Sequence, residues 1–280
     1  MTDYCKRYWA SSYKPEQYSF AQYALDAGYS IFYYDRLGVG LSSRISGFEN
    51  EGPVQIELLA RIVQAIRNNQ YTDDIKAEKV SLVGHSYGSF LSNGVVARYP
   101  KLADSAVLTG IAYPNPNDPA ARTGAWIPTI FASRIAKTLP VESRPQFADT
   151  LDTGYLGFGD IFAYVQSFLH QPDYEVGAAE YSFRVSQPFA ISEFLGGLPT
   201  AKATGFTGGV LVTSGQFDVL ACNGDCLSTF AEGVQKDVFP DAKLSPYVQP
   251  RAGHGQNFGT EAGTLYAKIV DFLDGKVESV

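Results

Sequence analysis

Val80-Ser81-Leu82-Val83-Gly84-His85-Ser86-Tyr87-Gly88-Ser89-Phe90 is the stretch on which the reading of this chain turns. β-Compatible, mostly apolar residues run into Gly-x-Ser-x-Gly, and Phe90, Leu91, Val95 and Val96 then recur at helical spacing. The pattern predicts a strand over 79–83, a sharp turn and a helix. A serine at the tip of such a turn sits in a strained conformation, and the expectation is that a side chain at either Gly84 or Gly88 collides with the neighbouring strand or helix. The helix then aims its first N–H groups at the serine, where negative charge develops during acyl transfer. Ser86 is therefore the candidate nucleophile, with the Tyr87 N–H as one oxyanion donor. In a chain with 27 Gly among 280 residues the bare motif is weak, and the strand before it, the helix after it and the partners downstream give it its weight.

A serine hydroxyl needs a base, and histidine suits that task near neutrality. The chain has three. His85 lies inside the turn and is expected to face away from a substrate. His170 lies in an irregular aromatic stretch with no partner evident from sequence. His254, in Arg251-Ala252-Gly253-His254-Gly255, sits on a Gly-rich loop before the last helix, a setting that lets a side chain enter a cleft. The base needs a carboxylate to hold its tautomer. Val210 to Asp218 reads as a short apolar strand followed by a loop that carries Asp218, with Asp225 as the fallback.

The order Ser86, Asp218, His254 is that of the α/β-hydrolases. From Tyr8 onward the chain resembles an α/β-hydrolase-fold serine hydrolase of the esterase/lipase-like kind. The matching segments are Tyr33-Tyr34-Asp35-Arg36-Leu37-Gly38-Val39-Gly40-Leu41-Ser42-Ser43, which is similar to the family's Asp-x-x-Gly-x-Gly-x-Ser turn, the serine turn, the Gly215 to Asp218 turn and the Gly253-His254-Gly255 loop. The resemblance implies an α/β fold, a mostly parallel sheet flanked by helices, with a helical cap over the serine.

It further implies that a strand and a His-Gly element precede a segment like Tyr8-Trp9. The chain is thus expected to be N-terminally truncated relative to the family, with residues 30–34 pairing directly with 79–83 so that no dry gap opens in the sheet. The second oxyanion donor must then come from residues 1–3 or be missing, which would slow turnover.

At 280 residues, 45% hydrophobic and 14% aromatic, the chain can bury a large core. A net charge of -7, with no clustered Lys and Arg, argues against nucleic acid or anionic membrane as partners. No apolar run is long enough to span a bilayer, and residues 1–7 lack the apolar core of a signal peptide. Cys222 and Cys226 flank a turn-forming Asn223-Gly224, a spacing that permits a small disulfide loop and hints at a secreted protein. Two reduced thiols are the alternative; they lack further ligands for zinc, and no metal or cofactor is expected.

In chain order, Pro15 opens a helix with Phe20, Ala21, Ala24 and Leu25 on its apolar face and Gly28 at its end. Residues 30–34 read as a strand buried on both faces. A second helix from about Pro53 has Leu58, Leu59, Ile62, Ala65 and Ile66 as its stripe. Strands follow at 105–109 and 209–213, and a last one near 244–249, broken by Pro246, is expected at a sheet edge. The alternation stops over 113–206, which is read as the cap, leaving 1–112 and 207–280 as the core. Within the cap, 161–169 reads as a helix burying Phe162, Val165, Phe168 and Leu169.

These readings point to a hydrolase of a small apolar or aromatic ester-like substrate through Ser86, His254 and Asp218. A lyase using the same residues and a non-catalytic relative of the fold are the alternatives.

Overall fold

The computed structural model describes residues 6–71, 76–113, 133–141, 148–195, 201–231 and 235–277. Three short helices open it: α1 Lys6–Trp9, α2 Pro15–Tyr18 and α3 Phe20–Asp26. The helix expected from Pro15 is broken at Ser19, whose extended backbone and side chain cap Gln22 N–H and start α3. Gly28 ends the segment at φ +89°, a conformation glycine adopts without cost, while Leu25 is exposed.

Next come α4 Gly52–Arg67, β1 Ser81–His85, α5 Tyr87–Arg98 and β2 Ser105–Thr109. Between β2 and the next strand of the main sheet lie β3 Ser133–Ile135, β4 Tyr155–Phe158, α6 Ile161–Phe168, α7 Val176–Arg184, β5 Phe189–Ala190 and α8 Ser192–Leu195. The chain then runs β6 Gly209–Gly215, α9 Val219–Cys222, α10 Cys226–Ala231, α11 Gln235–Val238, β7 Lys243–Gln249 and α12 Ala262–Leu273.

Among the described residues the main sheet has order β1-β2-β6-β7, all parallel, with Ser81 opposite Ser105 and Ser105 opposite Gly209. β7 lies at an edge, as its Pro246 requires. The strands divide their side chains between two layers. Leu82, Ala106, Leu108, Val210 and Val212 pack with Ile56, Leu59, Val63 and Leu91 of α4 and α5. Val107 and Leu211 face Leu265 and Ile269 of α12, together with Phe168, Ala178 and Tyr181 of the inserted segment. Burial on both faces explains the unbroken apolar runs.

Four expectations are corrected. Residues 30–34 form no strand and pair with no strand, because the outer edge of β1 has no neighbour among the described residues and an apolar run without a partner has no ladder to join. Ile31 instead leans on one layer and Tyr34 on the other, while Phe32 and Tyr33 are 46% and 44% exposed. On α4 the buried stripe is Gln55, Ile56, Leu59, Ala60 and Val63, so Leu58 turns outward. Gly94 of α5 selects that face: a Cβ there would lie 2.3 Å from Ile56 Cδ1. On α6 it is Tyr164 and Phe168 that are buried, and Phe162 is 78% exposed. The inserted segment is also not helical alone, since β3, β4 and β5 form an antiparallel sheet of order β3-β4-β5. Residues 1–3, one of the two alternatives for the second oxyanion donor, lie outside the described residues, as do Trp126 and Phe131, two of the aromatic residues of the segment read as the cap.

Candidate active site

Ser86 joins β1 to α5 with φ +52° and ψ −120°, a conformation most L-residues avoid. Its strain is held by hydrogen bonds on both sides. Ser86 N–H donates to Thr109 O at 2.8 Å, tying the turn to β2, and Ser89 N–H donates to Ser86 O at 2.8 Å. Gly84 is obligatory: a Cβ there would sit 2.5 Å from Gly88 O and 2.6 Å from Gly88 C. Gly88 differs from expectation, because a Cβ at that position meets nothing within 4 Å. The close approach is of Gly84 to the backbone of Gly88, so only one of the two glycines is required by sterics.

The ends of β6 and β7 bring the other two side chains. A Cβ on Gly215 would lie 2.2 Å from Gly253 O, so glycine here lets the loop after β6 touch the loop after β7. Phe217 N–H donates to Ala252 O at 2.9 Å across that contact. His254 Nε2 lies 2.8 Å from Ser86 Oγ and its Nδ1 2.8 Å from Asp218 Oδ2. An ionised carboxylate only accepts, so Nδ1 carries the proton and Nε2 is left to accept from the serine hydroxyl. Asp218 is also the cap of α9, receiving Ala221 N–H at 2.8 Å on Oδ1 and Ser214 Oγ–H at 2.6 Å on Oδ2. Burial alone would raise its carboxyl, but electrostatic attraction to His254 and the hydrogen bond from its Nδ1–H, with those from Ser214 and Ala221, hold it below the ordinary value.

Ser86, His254 and Asp218 are 3%, 2% and 0% exposed, so the three groups interact out of water. Phe168 of α6 lies against the His254 ring, centroids 5.4 Å apart, and its carbonyl accepts Gly255 N–H at 2.6 Å. A Cβ on Gly253 would lie 2.9 Å from Phe168 O, so this glycine admits the inserted segment onto the histidine loop. Such an arrangement can pass the serine proton to Nε2 while the carboxylate balances the resulting imidazolium. The α5 N-terminus supplies the Tyr87 and Gly88 N–H groups, which have no backbone acceptor among the described residues.

The other candidates fall elsewhere. Asp225 is exposed and caps α10 through Ser228, 3.1 Å from its backbone N–H. His170 stacks on Phe217 with centroids 3.8 Å apart and lies 3.8 Å from Asp173 Oδ2. His85 is buried behind the site, its Nδ1 3.1 Å from Tyr8 OH and 3.0 Å from Thr109 Oγ1, its ring stacked on Tyr8. Burial first, then His254, hold its pKa well below that of free histidine, so it stays neutral. Cys222 and Cys226 form a disulfide that closes the α9–α10 turn beside Asp218.

Two supporting residues went unread in the sequence. Ser214 has a local signal, a hydroxyl four residues before the acid at the end of a strand. Gln256 has none: its Oε1 accepts Gly110 N–H at 2.9 Å and its Nε2 donates to Gln249 Oε1 at 2.8 Å, joining the ends of β2 and β7 below His254. Among the described residues no group of three or more His, Cys, Asp or Glu could hold a metal ion, and no helix is long and apolar enough to cross a membrane.

Comparison with known proteins follows the same lines. The chain is similar to the methylesterase protein MES16 from Arabidopsis, with 14% identity, TM-score 0.58, and coverage of 91% of this chain and 92% of that one. It is also similar to BpoC from Mycobacterium tuberculosis H37Rv, with 17% identity, TM-score 0.64, and coverage of 98% and 90%. Abhydrolase domain-containing protein abhd-5.2 of Caenorhabditis elegans is 29% identical over 79 residues, 28% of this chain; the matched stretch spans only 16% of that relative's length. Residues 8–157, more than half of the chain, match the family model described as alpha/beta hydrolase fold, and the chain belongs to that family.

Proposed function

We propose that this chain is a serine hydrolase that cleaves a carboxylic ester or similar acyl bond of a small apolar or aromatic substrate. In this reading Ser86 attacks, His254 takes and returns the proton, Asp218 orients His254, and the Tyr87 N–H supplies one oxyanion donor. The observation that carries it is the unbroken hydrogen-bonded series from Ser86 Oγ through His254 to Asp218, two contacts of 2.8 Å each, buried at the ends of β1, β6 and β7. Structural likeness to esterases supports the class and no particular substrate.

Residues 113–206 act as a cap over a core of 1–112 and 207–280. With Ser86 only 3% exposed, substrate reaches it when the segment carrying Phe168 moves. Aromatic side chains nearest the site, Phe168 with Phe158 and Tyr164 packed on it, favour an apolar acyl or aryl group. The Cys222–Cys226 bond favours an oxidising compartment for the protein.

The experiment is pre-steady-state release of p-nitrophenol from p-nitrophenyl acetate, butyrate and benzoate. A burst stoichiometric with enzyme, followed by slower turnover, is expected from an acyl-enzyme on Ser86. No burst and no turnover with any of the esters would overturn the hydrolase reading in favour of a non-catalytic member of the fold.

A further inference from the structure

The back of the serine turn is held from an unexpected side. Arg36, in the Gly-rich turn after residues 30–34, lays its guanidinium over the Tyr87 ring, 5.2 Å from the centroid. Its Nη1 donates to Glu193 Oε1 at 2.7 Å and to Gln55 Oε1. Gln55 Nε2 in turn donates to Glu193 Oε1 at 2.9 Å. Three parts of the chain therefore meet at the guanidinium that covers this ring: the Arg36 turn, α4 through Gln55, and α8 of the inserted segment through Glu193.

Exposure shows how committed this contact is. The Arg36 and Glu193 side chains are 11% and 1% exposed, and Tyr87 is fully buried. An ion pair so desolvated adds little stability, but removing one partner strands the other charge, so both halves must be seated together. The Tyr87 hydroxyl has no hydrogen-bond partner among the described residues, so its polar end does not fix the ring, which is held by the apolar side chains of its core cluster and by the cation on its face. Tyr87 is the first residue of α5, and its ring and its N–H share one backbone position.

We propose that Arg36 is a positioning residue for the Tyr87 oxyanion donor, and that Glu193 makes this positioning depend on the inserted segment being docked. The inference rests on the hydrolase reading for its purpose, and on the Arg36–Tyr87–Glu193 contact for its existence. Arginine suits the place because one planar group stacks on the ring face while its Nη1 reaches Glu193 and Gln55 at its edge, whereas a lysine ammonium has no plane to stack. Oxyanion donors act only within a few tenths of an ångström of their best place, so a small movement of Tyr87 changes rate and leaves ground-state binding alone.

The test uses the full chain carrying 3-fluorotyrosine at position 87, with Arg36→Met, Arg36→Lys, Glu193→Gln and the double variant R36M/E193Q. Lys14→Ala, which removes an exposed ion pair to Glu175, is the control. Two readouts are taken: the ¹⁹F resonance of residue 87, and the rate of Ser86 phosphonylation by a fluorophosphonate with the kcat and KM of ester turnover. Arg36→Met and Glu193→Gln should both move the resonance and slow labelling roughly ten- to hundredfold, with KM little changed. Arg36→Lys should recover only part of the loss, R36M/E193Q should be no slower than R36M, and K14A should change neither readout. Glu193→Gln is close to isosteric and keeps the test open if Arg36→Met does not fold. A resonance unmoved in both single variants, or labelling at the unsubstituted rate, overturns the proposal. Additive rate losses in the double variant would do the same. If the unsubstituted chain is not labelled at Ser86 while the resonance still moves, the hydrolase reading fails and the docking contact stands.

Discussion

Residues 30–34 and the strand Ser81–His85 are similar apolar runs that each lead into a Gly-containing turn, yet only the second is a strand. Ser81–His85 lies beside Ser105–Thr109 in unbroken parallel register, and its side chains are divided between two packed layers. Residues 30–34 have the β-propensity and no partner, and two of their aromatics, Phe32 and Tyr33, stand 46% and 44% exposed. Phe32 rests on Tyr71 instead, and a cleft of about 400 Å³, lined in part by Leu25, Ile31, Phe32 and Tyr33, lies beside the run. None of that cleft's lining residues belongs to the Ser86 cluster. Propensity therefore nominates a strand, and a neighbouring edge makes one.

The comparison is broken most forcefully at the glycines of the serine turn. Gly84→Ala puts a methyl 2.5 Å from backbone that cannot yield, and is expected to cost more than about 3 kcal/mol or prevent folding, whereas Gly88→Ala should fall within about 1 kcal/mol of the parent and gain from helix propensity. Urea unfolding of the two variants decides this. Equal losses would mean that both glycines are sterically fixed after all.

A smaller effect separates the runs themselves. Leu82→Ala should cost about 2–5 kcal/mol, since Leu82 is 6% exposed in the α4–α5 layer, and Phe32→Ala less than about 1 kcal/mol. Amide hydrogen exchange should show 82–85 protected near the global stability and 30–34 exchanging by local opening. Protection of 30–34 to the same level would show that this run is paired.

The smallest effect is in pH dependence. His85, at the end of the paired run, has its pKa depressed by burial and by His254 beside it. Below about 6.5 the unfolded chain takes up a proton that the folded one refuses, so stability should fall as pH falls, by at most about 1.4 kcal/mol per unit. The loss should stop at the folded pKa. Asp218, also depressed, acts in a lower window: its contribution is present above the unfolded carboxylate value near 3.8 and is lost as pH falls through the folded one. Urea midpoints from pH 8 to 5 should show the first slope, and His85→Gln should flatten it. An unchanged slope in that variant would place the titrating group elsewhere.

What the sequence made legible follows from how local each signal is. The serine turn, strand 105–109, and the strand-then-loop placement of Asp218 and His254 depend on residues adjacent in the chain, and the structure places them together. The buried face of α4 was not legible, because Leu58, Ile62 and Ile66 are as apolar as Ile56, Leu59 and Val63; the choice was made by Gly94 on another helix. The contact of Arg36 with Glu193 spans 157 residues and has no periodic trace at all. The same holds for Phe162 and Tyr164, where the exposed phenylalanine is the more apolar of the two and only the packing of α6 decides.

The claim that Ser86, His254 and Asp218 form one reactive unit is tested most directly by fluorophosphonate labelling and peptide mapping of the intact chain. A single tag is expected, on the tryptic peptide 80–98 that contains Ser86, absent in Ser86→Ala. It should form several orders of magnitude more slowly in His254→Ala and at close to the parent rate in His170→Ala. A tag on another peptide, or equal labelling of the Ser86→Ala and parent chains, would contradict the account.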